Sequence, residues 1–196
     1  MRRVKLILLI MSLAAINYAL ATTMLYLTTE NMALQSDDIL RAKAVKIESR
    51  FNDEKTQIYT YTTLKPIEWV KDGGAKPQEV VVRQIGGTAE GIVQTIAGNA
   101  HFEEGEEVFV FLKHKSVENN EGFYFLLAMS QTKYTVHLDK TLGEPVLSRD
   151  LGHINLINFN KRGEMETTLP LQVVKPLKYK DFVSEIRRII QQNAAP

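Results

Sequence analysis

The spacing of apolar side chains after residue 43 predicts a protein built mainly of β-strands. Apolar and polar residues alternate with a period of two, which places one face of each strand in a core. Other segments are dense in β-branched and aromatic residues, which also favour strands. Together they predict strands over residues 44–51, 56–70, 80–85, 106–114, 123–129, 134–138 and 145–147. Segment 106–114 is apolar on both faces, so we expect it to be a central or fully covered strand.

Two helices are predicted, one on each side of the strands. Thr29 is expected to cap a short helix over residues 30–35, because its hydroxyl can accept from first-turn N–H groups. An amphipathic helix is expected over residues 179–192, where it covers the core. Its apolar stripe consists of Phe182, Val183, Ile186, Ile189 and Ile190.

Residues 150–176 show no firm period and are left unplaced. The rest gives five to seven strands with no repeat and no linker, which indicates one domain. A small antiparallel barrel, closed or nearly closed, is the expected architecture because closure removes exposed strand edges.

The first twenty-one residues have the three parts of a secretory signal peptide in order. Positive residues open the chain, residues 6–16 are apolar, and Ala19-Leu20-Ala21 offers a cleavage site. The predicted division is a signal peptide over 1–21 and a single domain over 22–196. The alternative is an uncleaved membrane anchor, although its apolar run is shorter than the roughly 20 residues of a spanning helix.

Charge and cysteine content narrow the class of protein. Cleavage after Ala21 removes three basic residues and no acidic one, which leaves a net charge of −2 in place of +1. That balance argues against non-specific nucleic-acid binding, which depends on neutralising phosphates. The chain has no cysteine, which excludes thiolate nucleophiles and cysteine-bound zinc. A disulfide-free exported protein favours a bacterial periplasm or exterior.

Three motifs in the middle of the chain resemble those of a group of exported bacterial domains of unknown function. Gly86-Gly87 is followed by Phe-x-x-Gly-Glu-x-Val-x-x-Phe-Leu over residues 102–112, and Gln131 stands where the group has a glutamine after a strand. The resemblance covers about residues 34–139 and the C-terminal helix. It implies an OB-like barrel and no known activity. The group's first-strand glycine is replaced by Ala42 or Lys43, which puts a bulge there in doubt.

No motif predicts catalysis, a metal or a cofactor. The loop at Gly86-Gly87 lacks the Lys-Ser/Thr of a phosphate-binding loop, so its glycines are expected to supply positive φ angles. The histidines His101, His114, His137 and His153 form no local metal motif. The acidic cluster over 103–107 is expected to be a solvated turn rather than a calcium site, with Glu106 free to pair with a basic residue of a neighbouring strand.

Tyr59, Tyr61 and Trp69 are the candidate ligand-binding residues, because strand faces of OB barrels bind through aromatic rings. The alternative is that these rings pack in the core or across strands. We therefore expect an exported binding or interaction module with a protein partner in the envelope or exterior. The other possibilities are an enzyme whose site assembles from distant histidines and carboxylates, or a membrane-tethered structural protein.

Overall fold

The computed structural model describes residues 22–114, 122–141, 143–151, 154–160, 162–168 and 175–194. The predicted signal peptide lies outside these residues. The strands are β1 (Thr22–Leu25), β2 (Asp38–Phe51), β3 (Ile58–Lys71), β4 (Val80–Ile85), β5 (Gly87–Ala89), β6 (Ile92–Gln94), β7 (Glu107–Lys113), β8 (Phe125–Leu126), β9 (Lys133–Asp139), β10 (Glu144–Ser148), β11 (Ile154–Phe159), β12 (Met165–Thr168) and β13 (Leu177–Lys178). The helices are α1 (Thr29–Gln35) and α2 (Tyr179–Asn193), with a 3-10 turn over Met129–Thr132.

The fold is mainly β, with antiparallel sheets and two helices, as the sequence predicts. The main sheet has the order β13-β10-β9-β7-β2-β3-β4, and β8 also pairs with β7. A smaller sheet has the order β1-β11-β12, in which β1 runs parallel to β11. The described residues hold more strands than the expected five to seven, because short strands form in connections that carry no alternating pattern.

The main sheet is not a closed barrel in the part of the chain that the structure describes. Its edge strand β4 makes a single parallel bridge, between Val82 and Tyr124. Two backbone hydrogen bonds of 2.8 Å form that bridge: Tyr124 donates to Val81, and Arg83 donates to Tyr124. No further ladder joins β4 to β8 within the described residues.

Strand β7 separates two apolar cores, which confirms its prediction as a central strand. Phe109 and Phe111 point into one core with Tyr134 and the apolar stripe of α2. Val108 and Val110 point into the other, which β2, β3 and β4 complete. Because side chains alternate across a strand, one strand supplies both cores.

Two local predictions need correction. Thr28, not Thr29, caps α1: its hydroxyl accepts from the Asn31 N–H at 3.2 Å. Strand β2 begins at Asp38, earlier than expected, and its register with β3 shifts at several points, one of them between Ala44 and Lys46. Another shift lies between Arg41 and Ala42, so the strand is irregular there although the glycine of the resembling group is absent. Because of the shift between Ala44 and Lys46, Ala44 is buried and Val45 is 41% exposed, the reverse of the expected alternation. A bulge of this kind replaces the predicted regular period.

Gln131 ties the start of the described chain to the main sheet. Its side chain accepts from the Leu27 N–H at 3.1 Å and donates to the Leu25 carbonyl at 3.0 Å. The side chain is fully buried, so these two bonds satisfy it where water cannot. Gln131, the glutamine that the resemblance singled out, therefore stabilises the end of β1 and the segment that follows it.

None of the helices among the described residues combines the length and apolar character that crossing a membrane requires.

Candidate functional site

The most distinctive surface of the molecule is the outer face of β3 and β4, where aromatic rings surround an arginine. We call the side chains of Tyr59, Tyr61, Arg83, Phe123 and Phe125 the aromatic surface. Cross-strand pairing places Tyr61 opposite Arg83, and opposite residues in a ladder share one face. Tyr59 follows on the same face because side chains repeat every second residue.

The single bridge between β4 and β8 brings the phenylalanines to this face. Tyr124 pairs with Val82, so its neighbours Phe123 and Phe125 flank the bridge. The ring of Phe123 lies 5.1 Å from that of Tyr61. A contact between segments so far apart in sequence leaves no local pattern, and sequence reasoning missed both phenylalanines.

Cation–π stacking orders the aromatic surface. The guanidinium of Arg83 lies 5.0 Å from the ring centres of Tyr59 and Phe123, and 5.3 Å from that of Phe125. Arg50, on β2, lies 4.5 Å from the ring centre of Tyr61. Each such contact stabilises the arrangement by about 0.5–1 kcal/mol at an exposed site. Sequence reasoning also missed Arg83. The available signal is a charged residue that follows three valines in the run Val80-Val81-Val82-Arg83.

A pocket of about 510 Å³ opens beside the aromatic surface and is lined in part by β4 and β8. This volume falls within the range of small-ligand sites, which are mostly apolar with a few polar groups. Its walls are formed by Tyr59, Arg83, Gln84, Ile85, Ile96, Asn99, Phe125, Leu126 and Met129. Met129 has φ of 52°, a strained conformation for a side chain of this type.

The structure divides the three candidate ligand-binding residues. Tyr59 and Tyr61 lie together on the aromatic surface, with ring centres 6.5 Å apart. Trp69 lies eight residues further along β3, opposite Leu40, and packs against the core that β2, β3 and β4 share. Trp69 is therefore not part of the surface that Tyr59 and Tyr61 form.

A larger cleft of about 1200 Å³ lies between the main sheet and the connection that contains β5 and β6. Lys133 and Glu106 form a nearly buried ion pair in its wall, at 2.9 Å, and Lys133 also donates to Thr135 at 3.0 Å. The suggestion that Glu106 pairs with a basic residue of a neighbouring strand is thus confirmed. Thr62 also lines the cleft, and its buried hydroxyl makes no hydrogen bond within the described residues.

Gly87 of the Gly86-Gly87 pair lies where the chain passes close to β2 and β3. Gly87 has φ of +131°, and a Cβ there would lie 2.3 Å from the Thr60 hydroxyl and 2.4 Å from that of Ser49. Gly86 also has positive φ, at +97°. The positive φ angles agree with the expectation from the sequence, and the close contacts add a lack of space for a side chain. The loop does not begin a helix.

One histidine and one buried carboxylate converge away from the aromatic surface. Nδ1 of His114 lies 2.6 Å from Oδ2 of Asp38, and the Tyr124 ring lies 5.5 Å from the histidine ring. Burial, reinforced by the Asp38 charge, raises the pKa of Tyr124. The nearby Ser36 hydroxyl donates to the Met32 carbonyl at 2.6 Å, so it is engaged in the end of α1. No local sequence pattern predicts this pair, because Asp38 begins β2 and His114 directly follows β7, 76 positions later in the chain.

His101 and His137 are not part of this pair. His101 is exposed beside Glu103, with the nitrogen 3.7 Å from the carboxylate oxygen. His137 is exposed on β9 opposite Val146, and His153 lies outside the described residues. Within the described ranges, no three histidine or carboxylate side chains are grouped closely enough to hold a metal ion.

No protein-family model matches the chain, and no curated protein matches it.

Proposed function

We propose that the protein is an exported binding module that recognises a protein partner through the aromatic surface. The observation that carries this proposal is the enclosure of Arg83 by three rings, at 5.0 to 5.3 Å. Tyrosine, phenylalanine and arginine are enriched at the centres of protein interfaces. Because stacking already orders these half-buried side chains, little conformational entropy is lost when a partner binds.

We propose that the sheet carrying this surface is a partly open OB-like barrel. Five strands of this sheet lie side by side in the order β4-β3-β2-β7-β9. Along the chain β2 is the first of them, and it lies between the second, β3, and the fourth, β7. That arrangement is typical of a five-stranded Greek-key barrel. The parallel bridge between Val82 and Tyr124 supports closure, because it joins β4 to the segment that leads into β9.

The proposed location is the bacterial periplasm or exterior, on the strength of the signal-like residues 1–21. Intact mass of the protein from a fractionated Gram-negative host tests it. A soluble product that begins at Thr22 supports export. A full-length product in the membrane fraction contradicts cleavage and indicates a tethered envelope protein.

Site-specific photo-crosslinking tests the binding surface in the living host. A benzoyl-phenylalanine at position 61 is expected to give a discrete adduct with another protein. The matched control is the same residue at position 159, where Phe159 is 54% exposed on the smaller sheet. Equal adducts at both positions, or none at position 61, contradict the proposal.

A further inference from the structure

We infer that the partner presents an extended acidic segment, which places a carboxylate on Arg50 and an apolar side chain in the pocket beside Tyr59. This inference rests on the proposed function and adds the chemistry of the partner.

Arg50 is the group on this face that is best placed to bind a carboxylate. It is exposed, and its guanidinium is held 4.5 Å from the Tyr61 ring centre. It forms no salt bridge within the described residues. A guanidinium that lies against a ring keeps its N–H edge available, and that edge matches the two oxygens of a carboxylate.

The charge around the aromatic surface favours an acidic partner. Within the described strands, Lys46 and Arg50 share the outer face of β2 with one acidic residue, Glu48, according to the strand register. Glu48 already pairs with Lys46 at 2.8 Å. The positive charge is local, because residues 22–196 together carry a net charge of −2. A positive face on a slightly acidic protein selects negative partners and disfavours positive ones.

The pocket supplies the second contact. Ile85, at its rim, is 46% exposed, and the walls contributed by Ile96, Leu126 and Met129 are apolar. Burying one aliphatic side chain there removes apolar surface from water, which favours binding.

The register sets the spacing between the two contacts. Arg50 is directly opposite Tyr59, and Tyr59 lines the pocket, so the carboxylate site and the pocket are neighbours. Alternate side chains of an extended segment lie on one side, about 7 Å apart. The partner is therefore expected to carry an acidic and an apolar residue two positions apart.

Fluorescence polarisation with three labelled peptides tests this inference on the protein as the host produces it. The probe alternates Glu with Leu, and the two controls alternate Lys with Leu and Glu with Ser. We expect the Glu-Leu peptide to bind at least about tenfold more tightly than either control, because only it offers both contacts. Raising the salt from about 0.05 M to 0.5 M should weaken binding.

Substitutions at Arg50 test whether peptide binding depends on this residue or only on the overall charge of the protein. Arg50→Ala is expected to weaken Glu-Leu binding about tenfold, and Arg50→Lys by an intermediate factor, because lysine keeps the charge but not the planar fork. Arg162→Ala, at an exposed turn next to β12, should leave binding unchanged. No binding of the Glu-Leu peptide, equal binding of the Lys-Leu peptide, or an unaltered affinity in Arg50→Ala overturns the inference.

Crosslinking distinguishes the two proposals. If position 61 gives its specific adduct while the Glu-Leu peptide fails, the aromatic surface binds a partner of other chemistry and only this inference is wrong. If the adduct is also missing, the proposed function fails with it.

Discussion

The side-chain amide of Gln131 accepts a hydrogen bond from the Leu27 N–H and donates one to the Leu25 carbonyl. Both leucines lie more than a hundred positions earlier in the chain. Because the glutamine is fully buried, both bonds form in a place that water does not reach. They hold the segment between β1 and α1 against the end of the 3-10 turn. The pair therefore joins the first described strand to the middle of the fold.

Gln131→Leu removes both bonds with little change in volume. It leaves one backbone donor and one acceptor without their partner, and we expect a loss of about 2–4 kcal/mol in the free energy of unfolding. Urea denaturation followed by circular dichroism measures this. Gln191→Leu, at an exposed position of α2, is the control. A loss below about 0.5 kcal/mol, the usual range for surface changes, contradicts the structural role.

Gly87→Ala places a Cβ between two hydroxyl-bearing side chains and forces alanine to adopt φ of +131°. Gly91→Ala is the matched control, because Gly91 also has positive φ but no atom lies within 4 Å of the place that its Cβ would take. Strain alone costs about 1–2 kcal/mol. Gly87→Ala should therefore lower the melting temperature clearly more than Gly91→Ala. Equal shifts would show that space around Gly87 is not limiting.

Lys133 and Glu106 are expected to be strongly coupled. Removing one partner leaves a nearly buried charge in the cleft wall, so Lys133→Met and Glu106→Gln should each destabilise the protein by about 3 kcal/mol. The double variant should lose less than the sum of the two single losses. The exposed pair Lys55 and Glu90, at 3.1 Å, is the control and should show coupling below about 1 kcal/mol. A double-mutant cycle from urea denaturation measures both pairs.

Stability is expected to fall at alkaline pH because two tyrosines are held in the neutral form. Burial raises the pKa of Tyr134 and of Tyr179, and a 2.5 Å hydrogen bond to Glu68 raises that of Tyr179 further. Since each pKa is higher in the folded state, the native protein holds protons that the unfolded chain releases above about pH 10. The stabilisation is complete below that pH and decreases as the pH rises.

Each tyrosine should contribute a slope of up to about 1.4 kcal/mol per pH unit above pH 10. The free energy of unfolding measured between pH 9 and about 11.5 should therefore fall less steeply in Tyr179→Phe than in the unmodified protein. Tyr61→Phe, on the half-exposed aromatic surface, keeps both buried tyrosines and is the control for replacing a tyrosine. An unchanged slope in Tyr179→Phe would contradict the assignment.

Regular elements were predictable because their signals are local. The bounds of β4 agree with the predicted segment, and α2 ends one residue later than expected. The apolar residues on both faces of β7 correctly indicated a central strand. The faces of β2 were not predictable, since a bulge near Val45 shifts the alternation and no sequence period encodes it.

The candidate site was only partly predictable. Tyr59 and Tyr61 were identified because two aromatic residues two positions apart on a strand must share a face. Phe123 and Phe125 join them through one non-local bridge, and Arg83 joins them through stacking. Trp69 is an aromatic residue of the same predicted strand, but it pairs with Leu40 and faces a core. Residue type indicated the kind of surface, and strand pairing determined its members.

The parallel pairing of β1 with β11 has a consequence for the order of folding. Thr22 aligns with Ile154, so the first described strand has to wait for a partner that is synthesised late. Contacts of such long sequence separation form slowly. On a growing chain, β1 would remain unpaired until β11 had been synthesised. The first described strand is therefore among the last to find its partner, and this interval is when a chaperone would have most to protect.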